Sequence, residues 1–146
     1  MKNEVSLTEK AIVGNKEYVD FPELKRTGIV ARIDSGAQTS SAHCDKIWLE
    51  TMGGKEVLCC HFLKRSRRVL RFEKFKSRKV KSSNGQFEER YVVKVKIRLG
   101  NIEKRTDLTL TDRSTMNYSV LLGRRFLKNH FLIDVSQSYA LDPNTL

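Results

Sequence analysis

The sequence has no long apolar segment, no low-complexity linker and no internal repeat. Its apolar runs are short, such as Val120–Leu122 and Phe131–Ile133, whereas a helix needs about 20 apolar residues to cross a bilayer. No membrane span is therefore predicted. No apolar segment follows Met1, so no secretory signal is predicted and we expect a cytoplasmic protein. With 146 residues, 39% of them hydrophobic, the chain is expected to form a single domain, residues 1–146, with its own core.

Cysteines are few and odd in number: Cys44, Cys59 and Cys60. The two adjacent thiols cannot easily bond to each other, so no disulfide framework is predicted, in keeping with a reducing compartment. Together with His43 and His61 the thiols could supply zinc ligands, but the sequence has no CxxC, HxxxH or HExxH spacing. We therefore expect buried thiols and no metal. A zinc hydrolase built on these residues is the weakest functional hypothesis.

Acidic residues are scarce relative to basic ones, and the net charge is +11. The segment from Lys64 to Lys81 holds ten Lys or Arg and one acid, Glu73. Such a cluster is either a solvated face or a binding surface for a polyanion, such as nucleic acid or an acidic peptide. Composition alone does not decide between them.

Turn-forming residues recur at short intervals between runs rich in Val, Ile, Phe and Tyr, a spacing typical of a mainly β barrel or sandwich. Asn84-Gly85 predicts a type I′ hairpin turn, with Arg78–Lys81 pairing back onto the alternating strand Tyr91–Leu99. One short helix near the C-terminus is predicted after Gly123, over residues 124–130. The hairpin tip, Ser82–Glu88, is the best candidate for a covering element over a site.

The stretch from Ala31 to Cys44 contains a single acid, Asp34, which follows a predicted buried strand and is followed at once by Ser35-Gly36. Glycine permits a turn that a Cβ would oppose, and a buried carboxylate needs donors or a partner. An Asp-Ser-Gly turn alone is weak evidence. A second motif, Leu121-Leu122-Gly123-Arg124, occurs much later in the chain.

The two motifs together resemble the retropepsin-like aspartic proteases, in which an Asp-Ser/Thr-Gly-Ala turn lies beside a hydrophobic-hydrophobic-Gly stretch. Several further segments resemble one bacterial family, labelled "ATP-dependent zinc protease", which includes peptidases linked to ATP-grasp glutamate ligases. The similarity covers about residues 12–139. The segments that carry it are Ala31–Ser41, Arg78–Gly85, Leu110–Ser114 and Leu122–Leu127. The chain has neither a Walker A loop nor a zincin motif. The residues therefore do not support the dependence on ATP and zinc that the family label states.

The resemblance implies a retropepsin-like acid protease barrel and an aspartic peptidase that needs no cofactor. It implies a catalytic turn of Asp34, Ser35 and Gly36. Such enzymes need two carboxylates that share a proton. Because this chain has one Asp-Ser-Gly, a homodimer with one Asp34 from each subunit is expected.

Substrate contacts are expected from residues within the family-like segments: Ala37, Arg78, Arg90, Arg113 and Arg124. Arginine binds carboxylates in bidentate fashion, so an acidic or glutamate-rich peptide is the expected substrate. Gln38 stands where retroviral relatives carry an Asp that pairs with the Gly-Arg arginine, so Arg124 should find another partner or bind substrate. The alternative function is a non-catalytic basic β-barrel module that binds RNA or an acidic protein.

Overall fold

A computed structural model describes residues 9–81 and 84–141. It contains eleven strands, a 3-10 turn at Pro22–Leu24 and one short helix, α1 (Arg124–Leu127). The strands are β1 (Ala11–Val13), β2 (Lys16–Phe21), β3 (Arg26–Ile33), β4 (Ser40–Met52), β5 (Lys55–Phe62), β6 (Val69–Phe72), β7 (Lys76–Lys81), β8 (Phe87–Leu99), β9 (Ile102–Thr111), β10 (Val120–Leu122) and β11 (Phe131–Ile133). The mainly β class and the short helix near the C-terminus are confirmed.

Six strands close into a barrel in the order β10-β3-β2-β8-β9-β4, because β10 pairs with β3 on one side and with β4 on the other. The β10–β3 and β4–β9 pairs are parallel. Strands β5 and β6 continue the sheet beyond β4, and β7 continues it from β8. A separate two-stranded parallel sheet joins β1 to β11. The predicted barrel is therefore confirmed.

Alternation along β8 shows how the sequence fills the barrel. Val93, Val95, Ile97 and Leu99 are buried, whereas Lys94 and Arg98 between them are exposed. Strands of this pattern place every second residue in the core. Phe126 and Leu127 of the helix are buried. None of the helices in the described part of the chain is long and apolar enough to span a bilayer.

The predicted hairpin between β7 and β8 is present, with Arg78 opposite Arg90 and Lys81 opposite Phe87. The segment Arg78–Lys81 therefore pairs with residues 87–90 and not with Tyr91–Leu99 as predicted. The type I′ prediction is wrong, because that turn needs a positive φ at both central residues. Gly85 has a positive φ of 85°, but Asn84 is not among the residues with positive φ. Of the predicted covering element, Ser82 and Ser83 lie outside the described residues.

Candidate active site

Strand β3 ends one residue before Asp34, and the barrel holds that acid by its backbone. The N–H of Asp34 donates to the carbonyl oxygen of Leu122 at 2.9 Å. The carboxylate Oδ1 accepts from the N–H of Gly36 at 3.0 Å, and the Asp34 carbonyl accepts from Ala37 at 3.3 Å. These bonds fold the chain into a tight turn whose carboxylate is only partly buried.

Gly36 gives room to the Asp34 carboxylate and does not supply an unusual dihedral angle. It is absent from the glycines of positive φ, so the expected special turn conformation is not its reason. A Cβ at residue 36 would lie 3.2 Å from Asp34 Oδ1, which is tighter than ordinary van der Waals contact. Glycine thereby lets the backbone N–H approach the carboxylate and hydrogen-bond to it.

The second motif packs directly against this turn. Leu122 of β10 pairs with Ile33 of β3 in parallel register. At Gly123 a Cβ would lie 2.6 Å from the carbonyl oxygen of Thr39, so only glycine fits this approach. The two sequence motifs are therefore brought together in the fold, as the resemblance predicted.

The first N–H groups of helix α1 bind the far side of the Asp34 turn. Arg124 N donates to Ala37 O at 2.8 Å, and Arg125 N donates to Gln38 O at 3.0 Å. The side-chain Nη1 of Arg124 donates to the carbonyl oxygen of Ser35 at 2.9 Å. Arg124 thus has a backbone partner in place of an acid at residue 38. In this structure it stabilises the turn, and a substrate contact by Arg124 stays a prediction.

Asp34 opens onto two cavities. One, of about 220 Å³, lies between the outer face of β3 and β10 and the loop of residues 112–119; its lining residues are Arg32, Asp34, Arg113, Thr115, Met116, Asn117, Tyr118 and Leu121. The other, of about 460 Å³, lies towards β11 and includes Ser35, Tyr118, Ile133 and Val135. Among the described residues that line these cavities, Asp34 is the only carboxylate.

Arg113 lies in electrostatic reach of this acid. Its Nε donates to the carbonyl oxygen of Tyr118 at 3.2 Å. Burial lowers the pKa of Arg113, and the carboxylate of Asp34 partly opposes that shift, whereas the nearby Arg32 and Arg90 reinforce it. A cationic cluster therefore surrounds the single acid, and it would attract an anionic ligand into the groove.

A third cavity, of about 410 Å³, continues the groove beyond Arg113. Ala37, Gln38, Arg90 and Arg113 line it together with hydroxyl side chains and Asp112. The buried Nε of Arg90 has no hydrogen-bond partner among the described residues, and one of its terminal nitrogens lies 3.5 Å from Glu88. The structure thus places Ala37, Arg90 and Arg113 in one groove.

Arg78 is the exception among the predicted arginines. It lies opposite Arg90 across the β7–β8 pair but lines none of the three cavities. Like charges directly opposite each other destabilise a strand pair, so an anion bridging the two would be favourable. Contact of Arg78 with a substrate stays a prediction.

The cysteines and histidines do not converge on a metal site. Cys59 and Cys60 are adjacent in β5 and point to opposite faces of the strand, where Cys59 Sγ contacts Glu50 and Cys60 contacts Cys44. A hydrogen bond with Cys60, followed by burial, raises the pKa of Cys44. No group of three potential metal ligands occurs in residues 9–81 and 84–141. The donor set therefore does not fit the zinc of the family label.

Comparison with protein families decides the classification. The model described as "RimB-like: Retropepsin-like aspartic endopeptidase RimB" matches residues 12–144. The chain belongs to this family. The RimB-like match extends across the barrel, the Asp34 turn and the Leu122-Gly123 motif, so the predicted resemblance is confirmed.

Curated relatives of this RimB-like chain carry a different name. A "Probable alpha-L-glutamate ligase" of Shewanella halifaxensis is 41% identical over 137 residues, and one of Desulfotalea psychrophila is 36% identical over the same length. Both alignments cover 90% of this chain but 30% of the relative. The chain therefore spans less than a third of the length of these relatives.

A solved structure from Legionella pneumophila, of a protein described as having unknown function, shares the fold. Its TM-score is 0.66 at 24% sequence identity, covering 90% of this chain and 98% of the other. At this identity the similarity supports the fold alone.

Sequence reasoning missed part of the groove. Arg32 and the loop residues Thr115, Met116 and Asn117 line the cavity beside Asp34, yet none of them was predicted as a site residue. Arg32 precedes Asp34 by two residues in an extended segment, and that period of two places both on the same face. This spacing could have identified it.

Proposed function

We propose that this chain is an aspartic peptidase whose active site forms in a homodimer, with one Asp34 from each subunit. The observation that supports this most directly is the position of Asp34. It lies at the end of a barrel strand, held by Leu122 and Gly36, beside a cavity in which it is the only carboxylate among the described lining residues. The RimB-like family assignment supports the same reaction class.

The chemistry requires a pair of acids. One carboxylate removes a proton from water, which attacks the peptide carbonyl, and the other donates a proton to the carbonyl oxygen. Two carboxylates this close share one proton and titrate as a unit. A single Asp34 supplies half of this arrangement, so a second copy of the chain is the simplest source of the other half.

An exposed apolar surface next to Asp34 offers the contact for that second copy. Ile12, Leu132, Ile133 and Val135 are between 36% and 77% exposed, and Ile133 and Val135 share a cavity with Asp34 and Ser35. We call these four residues the β1/β11 surface. Contact between two such surfaces across a two-fold axis would bring the two Asp34 turns towards each other.

The proposed substrate is an acidic peptide, with glutamate the favoured residue. The groove beside Asp34 contains Arg32, Arg90 and Arg113, and the buried Nε of Arg90 has no partner among the described residues. Guanidinium groups bind carboxylates in a planar, bidentate geometry. The ligase name carried by the relatives also associates this domain with glutamate.

The first experiment measures cleavage of a glutamate-rich peptide by the wild type and by Asp34→Asn. The amide preserves the shape of the side chain but cannot act as a base. We expect activity to be lost with an unchanged melting temperature, and wild-type activity to survive EDTA. Full activity of the variant, or loss with EDTA that zinc restores, would contradict the proposal.

The substrate class is tested separately with a glutamine-substituted peptide of equal length. Arg90→Gln should reduce kcat/KM for the glutamate peptide by about tenfold, which corresponds to one charge-assisted hydrogen bond, and should leave the glutamine peptide unaffected. Arg98→Gln is the matched control, because Arg98 lies on the same strand and pairs with Asp20 and Glu103 far from the groove. Equal cleavage of both peptides would exclude the acidic preference. Tight RNA binding without cleavage would favour the binding module instead.

A further inference from the structure

His43 is a buried residue of β4 that hydrogen-bonds to both ends of the loop beside Asp34. Its backbone N–H donates to Ser119 O at 2.7 Å, at the end of the loop. Its ring Nδ1 accepts from the backbone N–H of Arg113 at 2.8 Å, near the start of the loop. The side chain is 1% exposed, so neither bond competes with solvent.

The opposite side of His43 is anchored just as firmly. Its carbonyl accepts from Leu63 N at 2.8 Å, and its Nε2 lies 2.5 Å from Asp45 Oδ1. Asp45 Oδ2 in turn accepts from the backbone N–H of Arg65 at 2.8 Å. The ring is therefore fixed between an acid held by one loop and the backbone of another.

The hydrogen bonds of the His43 ring define its tautomer. Because the Arg113 N–H points at Nδ1, that nitrogen must present its lone pair, and the proton of the neutral ring resides on Nε2, facing Asp45. The other charged groups near Nδ1 are the Asp112 carboxylate, at 3.6 Å, and Arg113 itself. Asp112 Oδ1 is already an acceptor for Ser114 N at 2.9 Å.

The loop that His43 holds forms one wall of the candidate active site. Residues from Arg113 to Tyr118 supply most of the lining of the cavity that contains Asp34. Arg113 N is the hydrogen-bond donor to the imidazole, and the Arg113 side chain is a cation in reach of Asp34. A shift of the backbone at Arg113 would therefore displace its guanidinium group from the acid.

We infer that His43 is a positioning residue of the peptidase: through Nδ1 it fixes the Arg113 backbone and with it the loop wall that orients substrate against Asp34. The kinetic consequence of this inference rests on the proposed function. It does not assign His43 to the reacting atoms, since the buried ring lines none of the cavities that contain Asp34.

Three substitutions separate the two ring nitrogens. His43→Asn places an amide oxygen where Nδ1 stands and keeps an acceptor for Arg113, but it cannot reach Asp45. His43→Gln reaches Asp45 and loses the Arg113 contact, and His43→Leu loses both. His61→Leu is the matched control, because His61 is a partly buried histidine of β5 that packs on Trp48 and lines none of the cavities near Asp34.

Peptide cleavage is measured for each variant well below its own melting temperature, so that loss of folded protein does not contribute. We expect kcat/KM to fall about 10- to 100-fold in the Leu and Gln variants, as misplacement of a binding group by about 1 Å does elsewhere. The Asn variant should recover most of this loss, and His61→Leu should behave as wild type. Wild-type kcat/KM in folded His43→Leu, or equal losses in the Asn and Leu variants, would overturn the inference.

A readout that needs no activity covers the case in which the wild type cleaves no peptide or the Leu variant does not fold. Amide hydrogen exchange at residues 113–118 should be slow in the wild type, faster in His43→Gln and restored in His43→Asn. Equal exchange rates in the wild type and both variants would be enough to overturn the positioning role. Absence of cleavage together with the expected exchange pattern would overturn the proposed function and leave the loop anchoring in place.

Discussion

The backbone N–H of Asp34 donates to the carbonyl oxygen of Leu122 at 2.9 Å, which joins two motifs that are far apart in the sequence. The bond continues the parallel pairing of β3 and β10 beyond the last strand residue. The position of the carboxylate is therefore set by the barrel and not by the turn alone. Substitutions in the Leu122-Gly123 motif should disturb Asp34 even though they lie in another segment.

Gly123→Ala tests this coupling. The new Cβ would lie 2.6 Å from Thr39 O and 2.9 Å from Ala37 O, and both carbonyls are backbone groups that cannot rotate away. We expect the free energy of unfolding, measured with urea, to fall by about 2–3 kcal/mol. Peptidase activity should fall as well, because the Asp34 turn must shift.

Gly28→Ala is the control for this substitution. Gly28 has a positive φ of 65° and open space around its Cβ position, so alanine there costs only the dihedral strain, about 1–2 kcal/mol. Activity of the Gly28 variant should be unchanged at temperatures where it is folded. A Gly123 variant as stable and as active as wild type would contradict the close approach.

How much of this could be predicted from the sequence depended on whether the signal was local. The Asp34 turn, the Gly123 motif and the alternating β8 strand each carry their information within a few residues, and the structure contains all three. The loop wall was not predicted, because Thr115 and Met116 reach Asp34 only through the pairing of β10 with β3. From the sequence, His43 was considered only as a zinc ligand. Its role in the loop could not be predicted, because its hydrogen bond to Arg113 joins residues distant in sequence.

The β1/β11 surface gives a prediction for assembly. Val135 is 77% exposed beside Asp34, so Val135→Asp would place a charge in the proposed apolar contact. We expect a weaker dimer by sedimentation velocity and a specific activity that rises with protein concentration. Met52→Asp, at the exposed β4–β5 turn, should leave both unchanged. An unaltered dimer in the Val135 variant would exclude this surface.

Acid should destabilise the fold. Several carboxylates have a lowered pKa in the folded chain through hydrogen bonds: Asp45 with His43, Asp112 with Ser114, Asp134 with Ser136, Glu23 with Arg105 and Glu50 with Trp48. Since the unfolded values lie at about 4, the unfolded chain binds protons first as the pH falls. The stability from these groups is therefore complete above about pH 4 and is lost as the pH falls through their folded values.

Urea midpoints measured between pH 7 and pH 3 check this expectation. The midpoint should be steady near neutrality and should fall on the acid side. In Asp134→Asn, which cannot ionise, the acid-side decline should be shallower than in the wild type. A midpoint that rises towards pH 3 would contradict the assignment of these hydrogen bonds to ionised carboxylates.

Subunit mixing tests the central claim, that two Asp34 residues form one active site. Wild type and Asp34→Asn are mixed at constant total concentration, allowed to exchange subunits, and assayed on a glutamate-rich peptide. A mixed dimer holds one carboxylate and cannot share a proton between two. The account predicts that activity falls as the square of the wild-type fraction. Activity that falls in direct proportion to that fraction would mean that each subunit works alone, and would contradict it.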